Sequence, residues 1–158
     1  MENKMLELLK TRRSVRAYKP EQIQAQELDA VLEAGTYAPT GMGMQSPVIV
    51  AVQSPQYRRA VMELNQKARG MEGDPYYGAP TIVLVLADPA RGTCVEDASC
   101  VLCTMMEAAH AVGLASCWIH GEHEMFRLPE GKALLREWGL PQDLRGVGSL
   151  ALGYAAGP

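Results

Sequence analysis

Thr93-Cys94-Val95-Glu96-Asp97-Ala98-Ser99-Cys100-Val101-Leu102-Cys103-Thr104-Met105-Met106-Glu107-Ala108-Ala109-His110-Ala111-Val112-Gly113-Leu114-Ala115-Ser116-Cys117-Trp118-Ile119 is the stretch on which the fold turns. Thr93 with Glu96 three residues later is a capping-box signature and places a helix start just before Val95. Gly113 supplies the stop. Between them Val95, Ala98, Val101, Leu102, Met105, Met106, Ala108, Ala109 and Val112 leave almost no polar face, so the helix is expected to be buried nearly all round. A chain of 158 residues has little else with which to cover it, and a partner subunit is the expected cover. The run from Val95 to Leu114 approaches membrane-spanning length, yet Glu96, Asp97, Glu107 and His110 interrupt it, so it reads as a soluble buried helix.

Working outward, Ser116-Cys117-Trp118-Ile119 follows as a strand, and Val147 to Tyr154 is another. Upstream, Thr81-Ile82-Val83-Leu84-Val85-Leu86 and Val48-Ile49-Val50-Ala51-Val52 are continuous apolar runs of the kind that central, buried strands show. Leu28, Val31, Leu32 and Gly35 recur at helical spacing within Gln24 to Gly35, although the start of that helix lacks a good cap. Further helices are expected over Met5 to Lys10, Gln56 to Arg69 and Gly131 to Trp138. Ala38 to Pro47, rich in glycine and proline at both ends, reads as an irregular connection. Helices thus alternate with four short strands in a layered α and β domain. The strand order is not fixed by this pattern.

The composition is 47% apolar and 21% charged with a formal net charge of -3, that of a folded protein with no overall basic field to draw nucleic acid. Met1-Glu2-Asn3-Lys4-Met5-Leu6-Glu7 places charges where a signal peptide needs its apolar stretch. A cytoplasmic protein of one domain over residues 1–158 is expected, with Cys94, Cys100, Cys103 and Cys117 reduced. No Gly-x-Gly-x-x-Gly follows a strand, and neither a phosphate loop with its lysine nor a His-Glu-x-x-His is present. No metal site is expected from His110, His120 and His123 with the cysteines. His110 reads as a core histidine, and Cys100-Val101-Leu102-Cys103 as small buried hydrophobes rather than a redox pair.

Arg12, Arg13 and Arg16, interleaved with Ser14, put three guanidinium forks and a hydroxyl within five residues. Such a cluster suits a phosphate, which accepts bidentate charge-assisted hydrogen bonds from arginine. Charge patterning alone fits a solvated basic turn better.

With the segments in place, the chain resembles the nitroreductase family at five points in the family's own order. These are Arg12-Arg13-Ser14-Val15-Arg16-Ala17-Tyr18, then Ala38-Pro39-Thr40-Gly41-Met42-Gly43-Met44-Gln45-Ser46-Pro47, then Tyr77-Gly78-Ala79-Pro80, then Ala108 to His120, and finally Leu152-Gly153-Tyr154. The resemblance implies an α+β fold of three layers, α/β/α, around a mixed, mainly antiparallel four-stranded sheet. It implies a homodimer holding FMN at the subunit interface, with NADH or NADPH as reductant and nitroaromatics, quinones or similar small molecules as acceptors by a ping-pong mechanism. Arg12 and Ser14 match residues that hold the FMN phosphate, Arg13 one that steadies the same region, and Arg16 one that reaches the pyrimidine edge. Pro39, Thr40 and Gly41 match a loop that contacts the flavin from the other subunit. Trp118, Ile119, His120 and Gly121 match the loop whose backbone N–H approaches flavin N5, and Asn65 matches an asparagine near the pyrimidine. No protein side chain is expected to be catalytic, because the flavin does the chemistry.

The sequence departs from the pattern at Gly43, where many members have asparagine, and at Gly121, where the closest small members often have arginine. The resemblance also implies a basic tail past the equivalent of Gly157-Pro158 that helps bind phosphate; if the chain lacks that tail, Arg12, Arg13 and Ser14 are the main identifiable phosphate ligands. The rival readings are a dehalogenase-like or flavin-fragmenting enzyme on the same scaffold, a non-catalytic flavin-binding module, and a thiol oxidoreductase using Cys100 and Cys103.

Overall fold

The computed structural model describes residues 1–157. In chain order the elements are α1 (Lys4–Thr11), α2 (Ala25–Thr36), a 3-10 turn (Gly41–Gly43), β1 (Val48–Val52), α3 (Pro55–Arg69), β2 (Thr81–Ala87), α4 (Cys94–Ala111), β3 (Ala115–Ile119), α5 (Glu122–Met125), α6 (Pro129–Glu137) and β4 (Arg145–Gly153). The sheet runs β1-β2-β4-β3, and every pairing among these four strands is antiparallel. The one parallel pairing among the described residues is an isolated bridge from Ser14 to Ser116 of β3, outside the four-strand ladder.

The three layers follow from the alternation of side chains along β2. Val83, Val85 and Ala87 pack into one core with Val31 of α2 and Ala98, Leu102 and Met105 of α4. Ile82, Leu84 and Leu86 point the other way, into a core shared with Val61 and Leu64 of α3, Met125 of α5 and Leu135 of α6. β2 is therefore buried on both faces, the physical reason for its unbroken apolar run. β1 has the same kind of sequence but lies at the sheet edge, where Ala51 is exposed and only Val52 is buried. The expectation that it is central is corrected: an apolar pentapeptide does not report how many neighbours its backbone has.

Local chemistry accounts for most element ends. Ser54 accepts a hydrogen bond from Tyr57 N at 3.3 Å and Pro55 opens α3, while Gly70 closes it in the left-handed region. The start of α2 is better capped than its sequence suggests, since the Glu27 carboxylate accepts from Gln24 N at 2.9 Å and from the Tyr154 hydroxyl at 2.6 Å. α4 begins at Cys94 as expected, but the Thr93/Glu96 box does not form. Thr93 instead gives its hydroxyl to Asp97 at 3.0 Å.

α4 corrects two further expectations. It buries eight side chains against the sheet and α2, yet Cys100 and Cys103 are exposed within the single chain. The helix has two covered faces rather than three, and both cysteines sit on the third. His110 is half-buried rather than in the core, and its Nε2 lies 2.9 Å from the Thr11 hydroxyl of α1.

Candidate functional site

β3 is an edge strand, and the segment after α1 covers that edge. Val15 N donates to Ser116 O at 3.1 Å, Lys19 N to Tyr154 O at 2.9 Å, and Ala156 N to Ala17 O at 2.9 Å. Tyr18 pins the segment from within: it is buried, and its hydroxyl donates to Val15 O at 2.6 Å. Burial pushes the Tyr18 phenol well above its usual range, so it stays neutral. This stitching lays Arg12, Arg13 and Ser14 alongside β3.

The three residues do different things there. Arg13 folds back, its Nη1 donating to Lys10 O at 2.7 Å and Arg12 O at 2.8 Å, so it caps the end of α1. Arg12 and Arg13 line a cavity of about 330 Å³ with Thr11, His110, Gly113 and Ser116. Arg12 Nη1 is buried there without a hydrogen-bond partner. A buried cationic donor left unpaired is costly unless an anion completes it. Ser14 is exposed on the outer side of its bridge, and Arg16 is exposed with no side-chain hydrogen bond among the described residues. His110, which hydropathy assigned to the core, is an additional cavity residue; its (i, i+3) relation to Gly113 at the end of α4 was the available signal.

A second cluster forms where β3 ends. Trp118 Nε1 donates to His120 Nδ1 at 3.4 Å, Ile119 is buried, and His120 is exposed. Gly121 adopts φ +114°, a backbone conformation that disfavours any side chain. A Cβ there would stand 2.7 Å from Arg69 Cδ, so α3 lays the Arg69 stem across the glycine. Arg69 Nη1 reaches His120 O at 3.4 Å. Asn65, fully buried, donates from Nδ2 to both Tyr76 Oη and His120 O at 3.2 Å, while its Oδ1 is buried without a partner. Asn65, His120 and Gly121, far apart in sequence, are thus brought into one contact.

Beneath that loop lies a carboxyl that the sequence did not single out. Glu122 opens α5, fully buried, with Oε1 accepting from the Ser149 hydroxyl of β4 and from Tyr76 Oη at 3.4 Å. Burial pushes its carboxyl up to about 7, against smaller lowering contributions from Ser149, Tyr76 and Arg69. Burial, with Glu122 beside it, also drives the Tyr76 phenol far up, so that hydroxyl remains a donor.

Pro39, Thr40 and Gly41 lie elsewhere, against the start of α4. Asp97 accepts from Gly41 N at 2.8 Å, and Thr40 Oγ1 donates to Gln45 Oε1 at 2.7 Å and accepts from Gln45 N at 3.0 Å. Gly41 allows this docking because a Cβ would meet Thr93 Oγ1 at 2.3 Å. From Asp97 to His110 is roughly 20 Å of helix at 1.5 Å per residue. The structure therefore does not bring Pro39–Gly41 to the cavity that their own chain's Arg12 lines. Beyond them Met42, Met44 and Tyr37 are exposed.

The Nitroreductase family profile matches residues 9–154. A nitroreductase of Bacteroides fragilis, whose crystal structure holds FMN, is 36% identical and superposes with a TM-score of 0.88, covering 98% of this chain and 90% of that one. A nitroreductase of Desulfitobacterium hafniense, also solved with FMN, superposes at 0.90 with 24% identity over 100% of this chain and 92% of its own, a likeness of fold alone. A protein of Methanothermobacter thermautotrophicus bearing the provisional name NADH dehydrogenase/NAD(P)H nitroreductase is 25% identical over 156 residues, covering 96% of this chain and 78% of that one. Fold and likeness together define an oxidoreductase. The chain belongs to the nitroreductase family.

Proposed function

We propose that this chain, one domain over residues 1–158, works as a cytoplasmic homodimer that carries FMN at the subunit interface and moves a hydride from NADH or NADPH to nitroaromatic, quinone or similar acceptors in ping-pong order. The observation that carries the proposal is the unpartnered, buried Arg12 Nη1 in a cavity beside β3. The guanidinium fork of Arg12 fits a phosphate monoester, and Ser14 stands two residues along the same segment. The unpartnered Asn65 Oδ1 similarly fits an imide N–H such as the flavin pyrimidine carries.

Bound there, FMN would supply the two-electron carrier on which the chemistry takes place. The chain's own residues place and tune it. Arg12 and Ser14 would hold the phosphate, while Arg13 keeps the end of α1 in order. Arg16, with no acid paired to it among the described residues, would stabilise negative charge at the pyrimidine edge, as fixed donors stabilise an oxyanion. The Trp118–Gly121 backbone would approach ring N5, with Gly121 holding the turn at φ +114°.

Dimerisation is supported by uncovered apolar surface. No residue of α1 is buried, although Met5, Leu6 and Leu9 share the helix, and Val112 at the end of α4 is exposed as well. The separation of Pro39–Gly41 from its own chain's Arg12 accords with that loop serving the partner's cofactor. No helix among the described residues is long and apolar enough to cross a membrane.

The purified protein should be yellow, release FMN on denaturation and bleach under anaerobic NADH or NADPH. A colourless protein that cannot be reconstituted with FMN would overturn the proposal. Sedimentation should give a dimer; a stable, flavin-loaded monomer would remove the interface from it.

A further inference from the structure

Glu122 is the one carboxylate among the described residues that is wholly enclosed and has an oxygen, Oε2, without any partner. Its other oxygen is linked by hydroxyls to the loop above. Tyr76 Oη donates to Glu122 Oε1 at 3.4 Å, and the same Tyr76 oxygen accepts from Asn65 Nδ2. The second hydrogen of that amide is given to His120 O. One amide nitrogen therefore ties the buried carboxyl cluster to the backbone of the His120–Gly121 loop.

Resting on the flavin reading above, we propose that Glu122 is a positioning residue: as a neutral carboxylic acid it holds the His120–Gly121 loop, through Tyr76 and Asn65, in the conformation that accepts FMN, and on ionising it loosens that hold.

The cluster is short of donors. Glu122 Oε2 is a buried acceptor with nothing to accept, and a proton on the carboxyl removes a charge that too few donors there answer. The titratable and charged groups around Glu122 are few. Tyr76 comes from the loop before β2 and Arg69 from α3, His123 is next to it on α5, and β4 contributes only the neutral Ser149 hydroxyl. Arg69 is thus the cation able to answer a charge on Glu122. The same guanidinium reaches His120 O at 3.4 Å. Ionisation would pull Tyr76 Oη closer to Glu122 at the expense of its contact with Asn65, and so shift the amide that holds His120 O. The carboxyl titrates near pH 7, so both states are accessible under ordinary conditions. Reciprocity then requires that FMN binding draw a proton onto the protein near neutral pH.

The test uses the full chain and two readouts. Infrared spectroscopy across pH 5.5 to 9 should show a buried protonated carboxyl band that disappears with rising pH and is missing in Glu122→Gln. Fluorescence titration should show FMN affinity falling about fivefold or more from pH 6 to pH 9 in the wild type, the low end of coupling between sites, and staying flat in Glu122→Gln. Tyr76→Phe, which keeps the carboxyl and cuts the link, should retain the infrared titration and lose the pH dependence of binding. Should Glu122→Gln not fold, that variant carries the comparison. A flat wild-type affinity over a titrating carboxyl overturns the proposal, as does a pH dependence that survives in Glu122→Gln or Tyr76→Phe. Failure to bind FMN at any pH in wild type and variants alike overturns the flavin reading and this inference with it, a result distinct from a flat profile in a protein that binds.

Discussion

The two polar clusters beside β3 solve opposite problems. Arg12, Arg13 and Ser14 are three consecutive residues, and Arg12, which lines a cavity, has a buried donor without a partner. Asn65, Tyr76, Glu122 and Ser149 come from α3, a loop, α5 and β4, and their hydrogen bonds join them in the buried interior. An open cation can be completed by water or by a ligand. An enclosed carboxyl without a cation paired to it is completed by a proton. The comparison teaches that the first cluster leaves a cation unsatisfied, as the proposed phosphate site requires, whereas the second is closed on itself.

The sharpest way to break this contrast is through stability against pH. The folded-state value for Glu122 is raised from 4.5 to about 7, so the folded chain retains a proton that the unfolded chain gives up. The stability associated with that proton is fully present below the unfolded value and is lost as pH rises through about 7. The loss is on the order of 3 kcal/mol at most, at roughly 1.4 kcal/mol per unit. Thermal melts from pH 4.5 to 8.5 should therefore fall in the wild type and fall much less in Glu122→Gln. Equal slopes would mean that the interior cluster does not hold its proton.

Next in size is the open cluster. A charge-assisted contact contributes about 1.5 to 3 kcal/mol, so Arg12→Ala should weaken FMN binding by roughly tenfold to over a hundredfold. Riboflavin, lacking the phosphate, should bind either protein alike. Equal losses for both flavins would show Arg12 acting through folding, and no loss for FMN would place the phosphate anchor elsewhere.

The smallest effect belongs to the exposed pair on α4. Replacing Cys100 and Cys103 with serine should leave turnover per bound flavin unchanged and shift stability by within about 0.5 kcal/mol, as surface substitutions do. Desolvation and the neighbouring Glu107 push the Cys103 thiol up, away from the reactive thiolate. Loss of turnover with flavin still bound would favour the thiol mechanism.

The same contrast explains what could be read from sequence. The helices and four strands were marked by periodicity, apolar runs and punctuation by glycine and proline, and those signals are local. The Arg12–Ser14 cluster was local too. Glu122 was not, because Glu122-His123-Glu124 reads as a solvated turn, and only the meeting of four segments encloses its first residue. α5 went unnoticed because four residues carry no period. The cysteines of α4 were misplaced because hydropathy counts them as apolar on every face, whereas the helix is covered on two. Asn65 is singled out by resemblance alone; nothing in its own helix marks it.

Arg69 and Gly121 are linked by space rather than by sequence, since one stem fills the place where the other's side chain would stand. The two positions should therefore vary together among related chains. Where the loop acquires a side chain at 121, the residue at 69 should shorten or turn away, and where 121 stays glycine a long residue should persist at 69. An arginine at both positions should be rare. A side chain at 121 can stand there only if the one at 69 turns aside.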